Sequence, residues 1–182
     1  MIQKVILVLV FCICCFCGYT QTMQSISYYT THPDISQDAK DYHARLFNAN
    51  NSDKIYGIMD SIFTDNSDTR PFYIFLACRM ITEANGDLLS ELNIICRHLA
   101  ELFPASLASV LFADKAVIDD KYKELWAKRM SVEIRITCDS DLMSCFKKSR
   151  STALQNCNEQ YKNKMEVLYN MVRKDLNLFQ QG

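Results

Sequence analysis

The stretch Asp68–Pro104, DTRPFYIFLACRMITEANGDLLSELNIICRHLAELFP, decides the fold. Pro71 suits the first turn of a helix, where its missing N–H has no intrahelical partner to lose. Phe72, Ile74, Phe75, Leu76, Cys78, Met80 and Ile81 then form a strongly apolar helix. It stops at Glu83-Ala84-Asn85-Gly86, where Gly86 is expected to take the left-handed closing conformation. Asp87 is expected to cap a second helix carrying Leu88, Leu89, Leu92, Ile94, Ile95, Leu99 and Leu102 at helical spacing, which ends before Pro104. The pair reads as an antiparallel hairpin turning near residue 87. Cys78 and Cys96 lie nine residues to either side of that centre, and equal rise along both helices sets them at similar heights. They are either a disulfide or two buried thiols in an apolar interface.

The same periodicity extends in both directions. Upstream, Ser36 or Asp34 caps a helix through about Asn48, and a neighbour starting at Asn51-Ser52-Asp53 repeats Ile55, Ile58, Met59, Ile62 and Phe63. Downstream, short helices are expected at about 105–115 and 119–137. Ser140-Asp141 then caps one long helix towards Leu178, with an apolar stripe running from Leu142 through Phe146, Leu154, Cys157, Tyr161, Met165 and Leu168 to Leu176. Only 3 Pro and 4 Gly occur in the chain, which disfavours an all-β fold rich in tight turns. The expected class is all-α, an irregular helical bundle or a short stack of antiparallel helix hairpins. It forms a single domain over 36–182, preceded by an irregular arm over 21–35 that contains Tyr28, Tyr29 and His32.

Residues 1–20 read as a signal peptide. One positive charge, Lys4, precedes thirteen apolar residues, Val5 to Cys17, and the small residues Gly18 and Thr20 place cleavage near Thr20/Gln21. The run is shorter than the ~20 apolar residues needed to span a bilayer, and no later stretch is long and apolar enough. No transmembrane segment is therefore expected after signal removal. The competing reading, a lipid anchor at Cys17, is disfavoured because Cys14-Cys15-Phe16 lacks the small residue expected just before a lipidated cysteine. The expected location is periplasmic or secreted. The remaining chain keeps Cys78, Cys96, Cys138, Cys145 and Cys157, all disulfide candidates in an oxidising compartment. Five is an odd number, so at least one stays unpaired within the chain.

Little in the sequence points to chemistry. The histidines are His32, His43 and His98, and none stands near a Ser or Cys in a nucleophile context. Cys96 and His98 are two apart on a helix and diverge by roughly 200°. The x6 and x11 spacings of Cys138, Cys145 and Cys157 suit no metal motif, and no glycine-rich run exists to cradle a phosphate. No catalytic residues, no metal and no cofactor are expected. With a formal net charge of −1, the chain gives no general reason to bind nucleic acid or an anionic membrane. Lys147, Lys148 and Arg150 cluster locally and read as a solvated helical face.

Cys138, Leu142, Cys145 and Cys157-Asn158-Glu159-Gln160-Tyr161 resemble the small cysteine-paired helical domain of bacterial lysozyme-inhibitor lipoproteins. The match covers about 25 of 182 residues, with Cys157 where the family has leucine. That resemblance implies a Cys138–Cys145 pair and Cys157 as the odd thiol. In format (leader, one domain, a few cysteines) the chain is similar to the exported helical immunity proteins that act against type VI secretion effectors. These resemblances imply a protein that binds another protein and neutralises a toxin or peptidoglycan hydrolase. Tyr28, Tyr29 and His32 are the candidate partner-binding residues, since aromatics anchor interfaces. Alternatively, those tyrosines staple the arm to the core. The competing functional classes are a helical scaffold of an envelope assembly and an enzyme with an unrecognised site around His43 or His98.

Overall fold

The computed structural model describes residues 23–50, 52–138 and 140–178. The expected leader, with Cys17 and the cleavage site, lies outside them. Among the described residues the secondary structure is entirely helical: α1 (Ile26–Thr31), α2 (Gln37–His43), α3 (Asp53–Asp60) with a 3-10 turn (Ser61–Phe63), α4 (Arg70–Glu83), α5 (Gly86–Leu102), α6 (Pro104–Leu111), α7 (Lys121–Thr137), α8 (Leu142–Asn156) and α9 (Glu159–Asp175). The chain is an all-α bundle.

Two of the expected caps close as read. Ser36 Oγ accepts from the Ala39 N–H at 3.2 Å, and Asp141 Oδ1 accepts from the Ser144 N–H at 2.9 Å, each satisfying a donor the helix cannot. Elsewhere the boundaries move. The 21–35 arm is not wholly irregular, because Ser25 caps a short helix that buries Tyr29. The helix from Ser36 ends at His43 rather than near Asn48. There Arg45 takes a left-handed φ of 63°, while the Arg45 and Leu46 N–H groups donate to the carbonyls of Tyr42 and Asp41. Gly86 is left-handed at φ +53°, as expected, yet it begins α5 instead of closing α4, which ends extended at Ala84. Pro104 likewise starts α6.

The largest departure is the long helix over 140–178. It breaks at Cys157 and Asn158, both extended, into α8 and α9. The physical reason is the stripe itself. A single straight helix of that length would carry half of its apolar stripe beyond the bundle, whereas folding back lets α9 pack on α7 and α6 as well as on α8. Phe146 meets Tyr169 with ring centroids 6.1 Å apart, and the Ser149 and Tyr169 hydroxyls lie at 3.0 Å. Asn177, left-handed at φ 58°, then closes α9, with the Asn177 and Leu178 N–H groups donating to the carbonyls of Lys174 and Arg173.

Helix α4 is apolar on nearly every side and runs through the centre, burying Phe72, Ile74, Leu76, Ala77, Cys78 and Met80. The α4–α5 hairpin is looser than its sequence suggests, because α5 packs chiefly on α7 and α8. Trp126, fully buried on α7, donates from Nε1 to the Cys96 carbonyl at 3.1 Å and ties α7 to α5. Among the described residues no single helix is long and apolar enough to cross a membrane. Helices α5 and α6 reach that length together but bend by 110°.

Candidate functional site

The expected partner-binding residues separate. Tyr29 is buried, stacks on Phe72 at 5.2 Å and accepts from the Gln24 N–H at 3.0 Å, so it staples the arm to α4. Tyr28 is 39% exposed and packs edge-on against Tyr29, with the His32 ring 5.3 Å away. His32 Nδ1 accepts from the Asp34 N–H at 3.1 Å. Tyr28 and His32 thus remain on the surface of a stapled arm.

Of the five cysteines, Cys138 and Cys145 are joined across the α7–α8 turn, while Cys78, Cys96 and Cys157 are buried free thiols. Burial raises the pKa of all three, holding them in the protonated, poorly nucleophilic form. The disulfide is braced by Arg97 of α5. Its guanidinium pairs with Glu101 at 2.9 Å, donates to Thr137 Oγ1 at 2.6 Å and reaches Cys145 Sγ at 3.8 Å.

The histidines do not converge with the thiols. His43 rests against Phe72 and Phe75, 5.7 and 6.1 Å between centroids, and burial, then the Arg79 charge, lowers its pKa and favours neutral imidazole. His98 is exposed on α5 while Cys96 is buried, the divergence their spacing predicts. Among the described residues no group of three His, Cys, Asp or Glu side chains is placed to hold a metal ion.

What the fold does assemble is a pair of grooves flanking α9. Between α8 and α9, Met143, Phe146, Lys147 and Arg150 face Asn170 and Arg173 around a space of about 390 Å³. Spacings of three and four residues set each row on one helical face: 143, 147 and 150 on α8, and 166, 170 and 173 on α9. Phe146 is nearly buried and forms the floor, while Lys147, Asn170 and Arg173 are exposed at the rim. Arg150 grips Glu166 with two parallel hydrogen bonds, Nε to Oε2 at 2.9 Å and Nη2 to Oε1, which joins the two walls. On the other side of α9, a wider groove of about 740 Å³ is lined by Val132 and Met171 with Lys128, Arg135 and Lys174, opposed by Glu124 and Asp175.

By sequence alone, Lys147, Lys148 and Arg150 share one solvated face. In the structure Lys147 and Arg150 rim the α8/α9 groove, whereas Lys148 turns to a shallow recess beside the Cys138–Cys145 disulfide. Asn170 and Arg173 went unnoticed. Their signal was visible only as polar residues opposite the α9 stripe. Compared with known protein families, curated proteins and solved structures, the chain matches none of them.

Proposed function

We infer that this chain is an exported protein-binding protein of the periplasm or cell envelope. In this reading it neutralises a cell-wall-directed hydrolase or toxin, as an immunity protein or inhibitor does, and uses the C-terminal helices α7–α9 as its binding face. The observation carrying the reading is the α8/α9 groove, with its apolar floor of Met143 and Phe146 and its rim of Lys147, Arg150 and Arg173. Recognition surfaces combine such features, an apolar pocket for an anchor and charged groups that set orientation. The Cys138–Cys145 disulfide supports an oxidising compartment, where such bonds persist, and agrees with the leader expected over residues 1–20. The neutralising role rests on the format of the chain.

The test uses residues 21–182 produced in an oxidising compartment and fixed to beads, exposed to envelope and secreted extracts. The expected result is stoichiometric retention of one hydrolase or toxin whose activity is lost in the complex. Retention of envelope assembly components with no loss of any activity favours a scaffold. If nothing specific is retained, the neutralising role fails.

A further inference from the structure

We propose that the α8/α9 groove takes an acidic segment of a protein partner, with one apolar side chain of that segment seated on Phe146 and carboxylates held by Lys147 and Arg173. This rests on the protein-binding reading above and names the chemistry of what is bound. Glu166 is committed to Arg150, while Lys147 and Arg173 have no carboxylate partner among the described residues. Arg173 donates from Nε to the Leu178 carbonyl at 3.0 Å, which fixes its stem and leaves its two amino groups for an incoming carboxylate.

Charge is also unevenly distributed along the chain. Residues 1–120 contain 8 Lys and Arg against 14 Asp and Glu, whereas residues 121–182 contain 12 against 7. The segment that forms α7–α9 therefore carries a net charge of +5 (12 − 7), against −6 (8 − 14) for the rest of the chain. Such a field steers an acidic patch towards the groove and orients it on arrival. It also disfavours extended polyanions. A nucleic acid or anionic bilayer gains affinity by neutralising many charges over a wide surface, and a chain whose remaining residues are net acidic offers it only a small cluster of cations. Phe146 and Met143 offer apolar surface that a free inorganic anion does not use, and a peptide side chain does.

The test pans a random peptide display library on residues 21–182, in parallel with the double charge reversal Lys147→Glu/Arg173→Glu. Wild type should enrich peptides in which acidic residues flank an apolar one, and the reversed variant should not. A representative peptide should bind about tenfold more weakly to each single reversal, and weaken as ionic strength rises. The neutralised variant Lys147→Gln/Arg173→Gln, which removes attraction without adding repulsion, should fall between, and circular dichroism should show all variants helical. Enrichment of neutral or basic peptides, equal enrichment on the reversed variant, or no enrichment overturns the proposal. Reversal-sensitive capture of a second, tagged copy of this chain without peptide enrichment also overturns it and assigns the groove to self-association. If the reversed variant still retains the hydrolase from extracts, this inference fails and the protein-binding reading stands. If acidic peptides bind while extracts yield no partner, it is the neutralising role that fails.

Discussion

Around Glu83 and around the α8/α9 groove the molecule uses charge in opposite ways. Glu83 Oε1 pairs with Arg79 at 2.6 Å, while Oε2 accepts from the Tyr42 hydroxyl at 3.0 Å and the Ala49 N–H at 3.1 Å. Arg79 in turn donates to the Tyr42 carbonyl at 2.9 Å and lies over the Tyr42 ring at 4.4 Å. Every group in that cluster is answered by another, and the result fastens α2 and its loop to α4. At the groove only Arg150 is answered by a carboxylate, that of Glu166, and the neighbouring cations face solvent. The difference teaches where to look for function: a satisfied ionic network holds a fold together, whereas an incomplete one at a surface is available to a partner.

The most severe break in the comparison is at the joint between the two regions. Trp126→Ala removes a fully buried indole from the α5–α7 interface and is expected to destabilise by about 3–5 kcal/mol, with a Tm drop on the order of 10 °C. Differential scanning calorimetry is the measurement. A single lowered transition means the Glu83 region and the α8/α9 region unfold as one body. A split into two transitions would show that the Glu83 network sustains its own unit.

A smaller effect tests the network itself. Burial would raise the Glu83 pKa, but hydrogen bonds from Arg79, Ala49 and Tyr42 outweigh it and hold the carboxyl below its ordinary value. A carboxyl depressed in the folded state contributes stability that is fully present above the unfolded value and lost as pH falls through the folded one. Glu83→Gln should therefore cost about 1–2 kcal/mol at neutral pH, and its gap from wild type should narrow as pH drops below about 4. Urea denaturation across that pH range checks it. A gap independent of pH would mean the carboxylate charge is not what the network uses.

How far the fold was legible follows from where the signals were local. Ser36 and Asp141 announced their helices because a cap lies within three residues of the donor it serves. The apolar hairpin over 68–104 was legible from periodicity and from Pro71, Gly86 and Pro104. The α8–α9 break was not, because the apolar stripe continues through Cys157 and Tyr161 with no proline or glycine to interrupt it. Asn158 followed by Glu159 was the available sign, a residue type favoured at the N-cap with an acid in the first turn, although the Asn158 side chain makes no capping bond. The groove exists only because of that break. In one straight helix Lys147 and Arg173 lie twenty-six residues apart, ~39 Å along the axis. Only the fold-back brings them to the same rim. The pairing of cysteines was equally non-local. Hairpin register allowed Cys78 to meet Cys96, but both sit buried as free thiols while the short α7–α8 turn closes Cys138 onto Cys145.

The smallest expected effect sharpens the contrast most. Glu166→Gln leaves the walls of the groove without their ion pair, yet Arg150 and Glu166 are 42% and 32% exposed, so water screens what they gain from each other. The loss of stability should be no more than about 1 kcal/mol and should vanish at high ionic strength. Its consequence for binding has the opposite sign. With Glu166 neutral, Arg150 joins Lys147 and Arg173 as a third uncommitted cation, and an acidic peptide should bind more tightly. Chemical denaturation and peptide titration on the same variant separate the two readouts. Weaker peptide binding would mean that the clasp orders the groove and that its geometry, more than its charge, makes the rim.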